Sequence, residues 1–466
     1  MAVVRPSSLP DPVAQGLLLS KSNETISPAR RAAFEILRRV ELENAYASVL
    51  LAALGKPMRE DDRALCHELV LGVLRRRLWL DRALEHFAGR SIDQLDLPVT
   101  ISLRLGLYQL RFLSRIPPPA AVNESVALMR VARLRSAGSF VNAVLRRATR
   151  EPDYDPAAGV ADADEKLALE TSHPVWLIRR WIGAFGFAEA AAFAHQNNRA
   201  APTAFRLTAR ARKQTRAEAS IIAALKSAGA EVLPSAIVRG AWRVTGGRRA
   251  LRELAHDGLI YFQDEASQLV AQLLNPQSGD WVLDVCAAPG SKTTHVAALA
   301  PGAVIVAGDL FEHRLHTLRE LAEQQGVGVN LIAHDAARAL PFADAGFARV
   351  LVDAPCTGTG TLRHNPEIRW RLQPSDIDEL AQKQKSILAN ASAAVRRGGR
   401  LIYSTCSVEP EENEDVVRDF LSKHANFHPI SLDAPVDLQT ESGTIRTWPH
   451  RQQTDGFFVA GFEREK

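Results

Sequence analysis

The sequence predicts an α/β protein. Its last part would be a doubly wound, mostly parallel sheet with an antiparallel edge, preceded by an all-α bundle and a small α+β segment. Three observations predict this class. Helical periodicity runs from residue 27 to 150 without a strand pattern, a mixture of helix and strand patterns follows, and strands alternate with helices from residue 257 onward. At 466 residues the chain is too long for one core, so several domains are expected.

Composition and cysteine spacing limit the classes of protein. No run of about 18 or more apolar residues occurs, so we expect no membrane span. Residues 1–26 lack the basic-then-apolar order of a signal peptide and contain several prolines and serines, which predicts a disordered tail and a cytoplasmic protein. The four cysteines, at 66, 286, 356 and 406, have no metal-binding spacing, so we expect free thiols and no metal site.

Positive charge is concentrated at the N-terminal end. Residues 1–150 contain 23 Lys and Arg against 14 Asp and Glu, a net charge of +9, whereas the remainder carries −5. A polyanion docking on this segment is the natural expectation. For the arginine clusters within it, charge alone leaves solvated helix faces and RNA contacts equally open. These clusters are Arg30-Arg31, Arg38-Arg39, Arg75-Arg76-Arg77 and Arg146-Arg147.

Residues 27–150 are predicted to form a helical bundle. Ser27 can cap the first helix, and Pro28 suits its first turn. Further helical patterns cover residues 61–86, 99–113, 121–135 and 138–149. The strings Ala121-Val-Asn-Glu-Ser-Val-Ala-Leu-Met129 and Phe140-Val-Asn-Ala-Val-Leu-Arg-Arg147 resemble the later helices of the NusB fold. That resemblance implies an RNA-binding module.

Two segments separate this bundle from the last domain. Residues 151–168, with prolines and small acidic residues, are predicted to be a linker. Residues 169–256 mix helices with short strands such as Thr203–Leu207, which predicts a small α+β subdomain that could contact RNA.

The last domain, residues 257–466, shows the alternation of a parallel sheet. Two final runs, at 443–448 and 456–462, would add the antiparallel edge. The parallel strands are predicted at 281–286, 303–309, 329–335, 349–353 and 400–405, with helices near 292–300, 312–325 and 375–397.

A tight turn joins the first of these strands to the first helix. Only Gly290 is present where a dinucleotide fingerprint needs three glycines, and the spacing of a phosphate-binding P-loop is not met. The turn therefore suits a nucleoside without a diphosphate. Asp309 ends the second strand, 19 positions after Gly290, where it can accept hydrogen bonds from ribose hydroxyls.

Carboxylates end four strands in succession, at Asp284, Asp309, Asp335 and Asp353. Any one of them could cap a helix, but four at the ligand-binding edge of one sheet indicate a binding site. A nucleoside with a positive charge would suit this acidic edge, and S-adenosylmethionine fits that description.

Two cysteines also follow strands, Cys356 after Asp353-Ala-Pro and Cys406 after Ser404-Thr. Thiols beside a methyl donor indicate methylation of cytosine carbon 5, which becomes nucleophilic only after a thiolate adds to carbon 6. A hydrogen bond at cytosine N3 would stabilise the charge that develops. Chemistry alone leaves the roles of the two cysteines interchangeable.

These motifs resemble the RNA 5-methylcytosine methyltransferases of the Sun and Nop type, from about residue 170 onward. With the NusB-like domain, the resemblance implies the bacterial small-subunit ribosomal RNA member, with a Rossmann-like core that binds S-adenosylmethionine and acts on 16S ribosomal RNA. The motifs are Asp284-x-Cys-Ala-Ala-Pro-Gly-x-Lys-Thr293, Asp353-Ala-Pro-Cys356, Ser404-Thr-Cys-Ser407, Pro449-His450 and Asp455-Gly-Phe-Phe458.

The resemblance also implies roles for residues. Cys406 would be the nucleophile that forms a covalent adduct with carbon 6, Cys356 would assist release, and Asp353 would act beside them. Ser291 departs from the family, which usually has glycine there, and a positive φ at this position would strain the loop. The implied cofactor-binding residues are Cys286, Ala287, Ala288, Pro289, Gly290, Ser291, Lys292, Asp309, Asp335 and Asp353.

Other functions stay open at this point. The substrate could be another RNA, such as transfer RNA, or the protein could be a non-enzymatic RNA-binding scaffold. A thiol hydrolase would need a histidine paired with a cysteine, and no such dyad is recognisable in the sequence. A monomer is expected.

Overall fold

The computed structural model describes residues 26–54, 58–342 and 344–466. The predicted tail at residues 1–26 therefore lies outside the described residues, apart from Ile26. The chain divides into two compact units, Met1–Val175 and Trp176–Lys466.

The described part of the first unit is helical, as predicted. Ser27 caps the first helix through its side chain, which accepts a hydrogen bond from the Arg30 backbone N–H. Buried apolar side chains such as Phe34, Leu69 and Leu145 form one core. The helices are α1 Pro28–Leu42, α2 Ala47–Ala52, α3 Glu60–Arg75, α4 Arg77–Ala88, α5 Leu97–Phe112, α6 Pro118–Val131, α7 Gly138–Arg150 and α8 Ala163–Thr171.

The prediction of one helix over residues 61–86 was wrong. Arg76 leaves the helical conformation, with φ −106° and ψ 13°, and separates α3 from α4. Because α3 packs mainly on α1 and α4 mainly on α5, a straight helix could not place both apolar faces against the core. Helical periodicity alone does not show such a change of direction.

The predicted linker at residues 151–168 was also wrong. The Tyr154 ring stacks on His86 with centroids 3.9 Å apart, and Asp155 Oδ1 accepts a hydrogen bond from Trp79 Nε1 at 3.1 Å. Asp162 caps α8 by accepting a hydrogen bond from the Glu165 N–H. The small acidic residues of this segment are the cap and first turn of a helix, not a solvated connection.

The second unit contains a small antiparallel sheet of strand order β2-β3-β1-β4, which follows two helices in the chain. Because β4 pairs with β1, the predicted boundary after residue 256 falls too early, and the small sheet continues to Phe262. The elements are α9 Val175–Phe185, α10 Phe187–Gln196, β1 Thr203–Leu207, α11 Ala209–Arg212, α12 Ala217–Ser227, β2 Glu231–Pro234, β3 Ala241–Thr245, α13 Arg248–His256 and β4 Ile260–Phe262.

The larger sheet has the strand order β10-β12-β9-β8-β5-β6-β7, with β11 beside β12. Strands β5 to β9 pair in parallel, and β12 pairs antiparallel with β9 and β10, so the predicted sheet with an antiparallel edge is confirmed. The elements are α14 Glu265–Leu273, β5 Trp281–Asp284, α15 Ser291–Leu299, β6 Val304–Asp309, α16 Glu312–Gln325, β7 Asn330–Ala333, β8 Phe347–Asp353, α17 Ile368–Arg371, α18 Pro374–Ala394, β9 Val395–Thr405, α19 Glu414–Lys423, β10 Phe427–Pro429, β11 Ile445–Arg446, α20 Pro449–Gln452 and β12 Phe458–Arg464.

This topology brings the strand-end carboxylates together. Strand β5 lies between β6 and β8, so Asp284, Asp309 and Asp353 end adjacent parallel strands at one edge of the sheet. Asp335 follows the neighbouring β7 by two residues. Within the described ranges, no helix is both long and apolar enough to cross a membrane.

Candidate active site

The turn between β5 and α15 depends on Gly290. Its φ is +107°, which other residues rarely adopt, and an added Cβ would lie 2.7 Å from Leu318 Cγ. Ser291 comes next, as the first residue of α15, and is not among the residues with positive φ. The departure from the family at Ser291 therefore causes no strain, because the unusual conformation falls on the preceding glycine.

Asp284 holds this turn closed. The Thr293 hydroxyl donates a 2.7 Å hydrogen bond to Asp284 Oδ2, which ties the end of β5 to the first turn of α15. The carboxyl group is buried, and burial raises its pKa to about 7. Asp284 thus stabilises the turn from inside the protein, whereas the sequence had suggested a place on the ligand-facing edge.

Asp309 joins the turn to the end of β6. Its carboxylate accepts hydrogen bonds from the Ala288 N–H at 3.2 Å and the Phe311 N–H at 3.1 Å. Arg314 lies 3.5 Å from the same carboxylate and donates a 2.7 Å hydrogen bond to the Ala288 carbonyl. A carboxylate offers about four acceptor positions, so acceptor capacity remains for a ligand hydroxyl.

The surroundings of Asp309 suit a nucleoside. Leu310 and Phe311 follow it and are 46% and 49% exposed, which places apolar surface beside the carboxylate for a purine ring. Asp335 lies past the next strand, half-buried, where its carboxylate accepts a hydrogen bond from the Ala337 N–H. The turn and these residues therefore fit the predicted S-adenosylmethionine.

Cys286 lies inside the turn but is not a reactive thiol. Burial, with the negative charges of Asp284, Asp353 and Asp309, raises its pKa far above that of a free cysteine. Its neighbours Ala287 and Ala288 are buried, and Pro289 is exposed. Cys286 is thus a packing residue of the turn.

Buried Lys292 forms an ion pair with half-buried Asp353, which ends β8. Lys292 Nζ lies 2.7 Å from Asp353 Oδ2 and 4.9 Å from the centre of the Phe457 ring. The Ser404 hydroxyl donates a 2.8 Å hydrogen bond to the other oxygen of Asp353. Burial would lower the pKa of Lys292, but the charge of Asp353 and its hydrogen bond to Lys292 more than offset this and raise it.

The two candidate catalytic cysteines face each other. Cys356 Sγ and Cys406 Sγ are 3.3 Å apart, although 50 residues separate them in the sequence. The hydrogen bond to Cys406 and burial raise the pKa of Cys356 well above its usual range. Cys356 is therefore the thiol of the pair that keeps its proton. The sequence did not predict the contacts of Ser404 with Asp353 and of Phe457 with Lys292. The only signal for these two residues was that they lie inside the motifs Ser404-Thr-Cys-Ser407 and Asp455-Gly-Phe-Phe458.

One further cluster of metal-binding residue types lies nearby. Ligand atoms of Asp264, His364 and Asp455 lie within 4.8 Å of one another. Arg363 Nη2 is 3.6 Å from Asp455 Oδ1, so a positive charge already faces the buried carboxylate and opposes a bound cation.

In the first unit, many of the clustered arginines are engaged in ion pairs. Arg30 pairs with Glu124 at 2.9 Å, Arg39 with Glu43 at 2.9 Å, and Arg77 with Glu41 at 3.1 Å. A different group is exposed and makes no ion pair with any described residue. It consists of Arg130, Arg133 and Arg135, at and just after the end of α6.

Comparison with known protein families assigns all three parts of the chain. The family described as 16S rRNA methyltransferase RsmB/F matches residues 271–463. The NusB family matches residues 27–150, and the ferredoxin-like domain of RsmF/B-like methyltransferases matches residues 173–249.

Full-length relatives show the same arrangement. A Bacillus subtilis protein named as a probable ribosomal RNA small subunit methyltransferase B is 34% identical over 449 residues, covering 94% of this chain and 98% of its own. Ribosomal RNA small subunit methyltransferase B of Yersinia pestis is 32% identical over 438 residues, covering 92% and 97%.

Solved structures agree with the fold. The crystal structure of PH0851 has a TM-score of 0.80 at 28% identity, covering 95% of this chain and 100% of its own. A methyltransferase homologue from Pyrococcus horikoshii has a TM-score of 0.57 at 25% identity, covering 66% and 100%. The predicted fold class, the NusB resemblance and S-adenosylmethionine as cofactor are confirmed. The chain belongs to the RsmB/F family of 16S rRNA methyltransferases.

Proposed function

We propose that this protein transfers the methyl group of S-adenosylmethionine to carbon 5 of a cytosine in small-subunit ribosomal RNA, through a covalent adduct between Cys406 and carbon 6. The observation that carries this proposal is the pair of thiols 3.3 Å apart. Lys292 lies at the end of the cofactor turn, where it is paired with Asp353 at 2.7 Å.

The cofactor would be held along the carboxyl edge of the larger sheet. The turn residues 286–292 would surround it, Asp309 would accept hydrogen bonds from ribose hydroxyls, and Asp335 would contact the nucleoside from the next strand. When bound, S-adenosylmethionine supplies an electrophilic methyl group on a positively charged sulfur. The acidic edge suits that charge.

Attack by Cys406 requires stabilisation of the negative charge that forms on the base. A thiolate adding to carbon 6 pushes electron density towards N3 and carbon 5 of cytosine. Lys292 is cationic, buried and fixed by Asp353, so it can stabilise this density without reorganisation. Carbon 5 then carries out the attack on the methyl group.

Release requires transfer of the proton on carbon 5 to a base from solvent and cleavage of the bond between Cys406 and carbon 6, whose electron pair returns to the sulfur. Cys356 retains its proton because its pKa is raised, and it lies within hydrogen-bond distance of the departing sulfur. A hydrogen bond from the Cys356 thiol would stabilise the Cys406 thiolate as it leaves. This assigns nucleophilic attack to Cys406 and assistance in release to Cys356.

The decisive test uses RNA that carries tritium on carbon 5 of cytosine. Methylation at carbon 5 releases this tritium into water, whereas methylation of an amino group or a ribose leaves it in the RNA. We expect release from small-subunit ribosomal RNA, dependent on S-adenosylmethionine and abolished in Cys406→Ala. Methyl transfer without tritium release would refute carbon 5 as the acceptor.

The same assay separates the alternative substrates. Tritium release from transfer RNA, with none from ribosomal RNA, would assign the activity to another RNA. Binding of small-subunit RNA without methyl transfer to any RNA would instead favour a non-enzymatic scaffold.

A further inference from the structure

Behind the two cysteines lies a buried carboxylate that the mechanism above does not use. Glu412 is fully buried in a short helical turn between β9 and α19. It makes no ion pair with any residue of the described ranges, and its pKa is raised by burial. A buried acid without a cation is costly unless several hydrogen bonds stabilise it.

Neutral donors surround this carboxylate. Oε1 accepts hydrogen bonds from the Thr357 N–H and from Gln384 Nε2, both at 2.9 Å. Oε2 accepts a 2.5 Å hydrogen bond from the Thr357 hydroxyl, and the Thr357 oxygen in turn accepts a hydrogen bond from the Ser407 hydroxyl. Such a set of donors fits an acceptor-only, ionised carboxylate.

The positions of these donors connect Glu412 with both thiols. Thr357 is the residue after Cys356, and Ser407 is the residue after Cys406. The two hydroxyls are also bonded to each other at 3.0 Å. The carboxylate therefore fastens the Cys356 loop directly and the Cys406 loop through the Thr357 hydroxyl.

Hydrogen bonds from Gln384 and Tyr403 further fix Glu412 and the loop that carries Cys356. Gln384 donates a second hydrogen bond, at 2.9 Å, to the Pro355 carbonyl, so the segment Pro355–Thr357 is fixed on both sides of Cys356. The Tyr403 hydroxyl donates a 2.5 Å hydrogen bond to the Glu412 carbonyl. The carboxylate and its partners thus form a small rigid unit.

We propose that Glu412 is a positioning residue for the two cysteines: it fixes their sulfur atoms in contact and keeps the proton on Cys356. The first part follows from its bonds to Thr357 and from the bond between the Thr357 and Ser407 hydroxyls. The second follows from electrostatics, since a negative charge in a buried site opposes the formation of a second negative charge nearby. This inference rests on the proposed function only for the roles of the thiols.

The charge effect is tested without RNA or methyl donor. In a Cys406→Ser background, the alkylation rate of Cys356 by iodoacetamide is followed between pH 6 and 10 by peptide mass spectrometry, which distinguishes Cys356 from Cys66 and Cys286. Glu412→Gln keeps the shape and removes the charge. We expect the profile to move to lower pH by about one unit, or about tenfold faster alkylation at pH 8.

Asp415→Asn is the matched control, because it removes a partly exposed carboxylate three residues away that pairs with Arg418. It should leave the alkylation profile unchanged. An unchanged profile in Glu412→Gln as well, or an equal shift in both variants, would overturn the charge effect.

The spacing effect is tested by Glu412→Asp, which keeps the charge but is one methylene too short to reach both loops. With both cysteines present, diamide should close a disulfide between Cys356 and Cys406 at least about tenfold more slowly than in the parent protein. Equal closure rates would overturn the positioning role. This measurement also decides the proposal if Glu412→Gln fails to fold, and neither readout depends on methyl transfer.

Discussion

The sharpest prediction separates the two cysteines by substitution. The hydrogen bond to Cys406 and burial raise the pKa of Cys356 well above its usual range, so little of this thiol is ionised at pH 7 and it is a poor nucleophile there. A hydrogen bond from the Cys356 thiol across the 3.3 Å contact would help the Cys406 sulfur to leave but not to attack. Cys406→Ala should therefore form no adduct, whereas Cys356→Ala should attack, accept the methyl group and fail to release the RNA.

The assay uses labelled small-subunit RNA with S-adenosylmethionine, followed by a denaturing gel. Cys356→Ala should show a protein–RNA band that grows to about one RNA per active enzyme, with methyl incorporation that stops after about one turnover. Cys406→Ala and the double variant should show neither. Binding of S-adenosylmethionine, measured by calorimetry, serves as the folding control for each variant.

Two outcomes would refute the reasoning. A band in Cys406→Ala and none in Cys356→Ala would exchange the two roles, and the raised pKa of Cys356 would then not describe the reacting enzyme. Full activity in both variants without any band would eliminate covalent catalysis by either thiol.

Three further predictions follow from the contacts of single residues. Asp309→Ala should weaken S-adenosylmethionine at least tenfold in calorimetry, since hydrogen bonds to a charged carboxylate contribute about 1.5–3 kcal/mol; unaltered affinity in the folded variant would remove Asp309 from the site. Lys292→Met should lower kcat about a hundredfold, a larger effect than on cofactor affinity, measured by steady-state methyl transfer and calorimetry; an unchanged kcat would contradict its stabilising role. Replacing Arg130, Arg133 and Arg135 by Ala should flatten the slope of log Kd against log salt by up to about 2, while Arg39→Ala, which removes a paired arginine, should change it less; equal slopes would show that the exposed group does not contact RNA.

The fold of the last domain was readable from the sequence because each element carried its own signal. Strands such as Trp281–Asp284 are short apolar runs, and the following helices begin at recognisable turns. The boundaries between domains were less visible. Residues 260–262 pair with β1 through backbone hydrogen bonds. The side-chain pattern of so short a strand does not indicate which sheet it joins.

The helical unit shows a second limit. Whether an arginine is available to RNA depends on acids brought near it by folding, such as Glu124, which lies 94 residues from its partner Arg30. The clusters drew attention in the sequence, yet Arg130, Arg133 and Arg135, which are exposed and have no acid partner among the described residues, lie outside those clusters. Charge density along the chain therefore predicts a basic domain but not its contact surface.

The candidate site was named residue by residue from motifs, but its organisation was not. Four strand-end acids looked equivalent in the sequence, and folding gives them different tasks. Asp284 is turned inward onto Thr293, Asp309 holds the turn while keeping acceptor capacity, and Asp353 is neutralised by Lys292. The difference arises from the donors that surround each carboxylate, most of which come from other parts of the chain.

Glu412 extends this argument to a residue with no chemical role of its own. It lies six residues after Cys406, in a run of acidic residues whose pattern indicates a solvated turn. Its burial follows from donors at Thr357 and Gln384, 55 and 28 residues away. Desolvating a carboxylate is costly, so a buried carboxylate needs hydrogen-bond donors. Here the donors include Thr357, next to Cys356, so the bonds that stabilise Glu412 also fix the position of the thiols. The alkylation and disulfide measurements thus test whether that carboxylate sets both the distance between the sulfur atoms and the position of the proton.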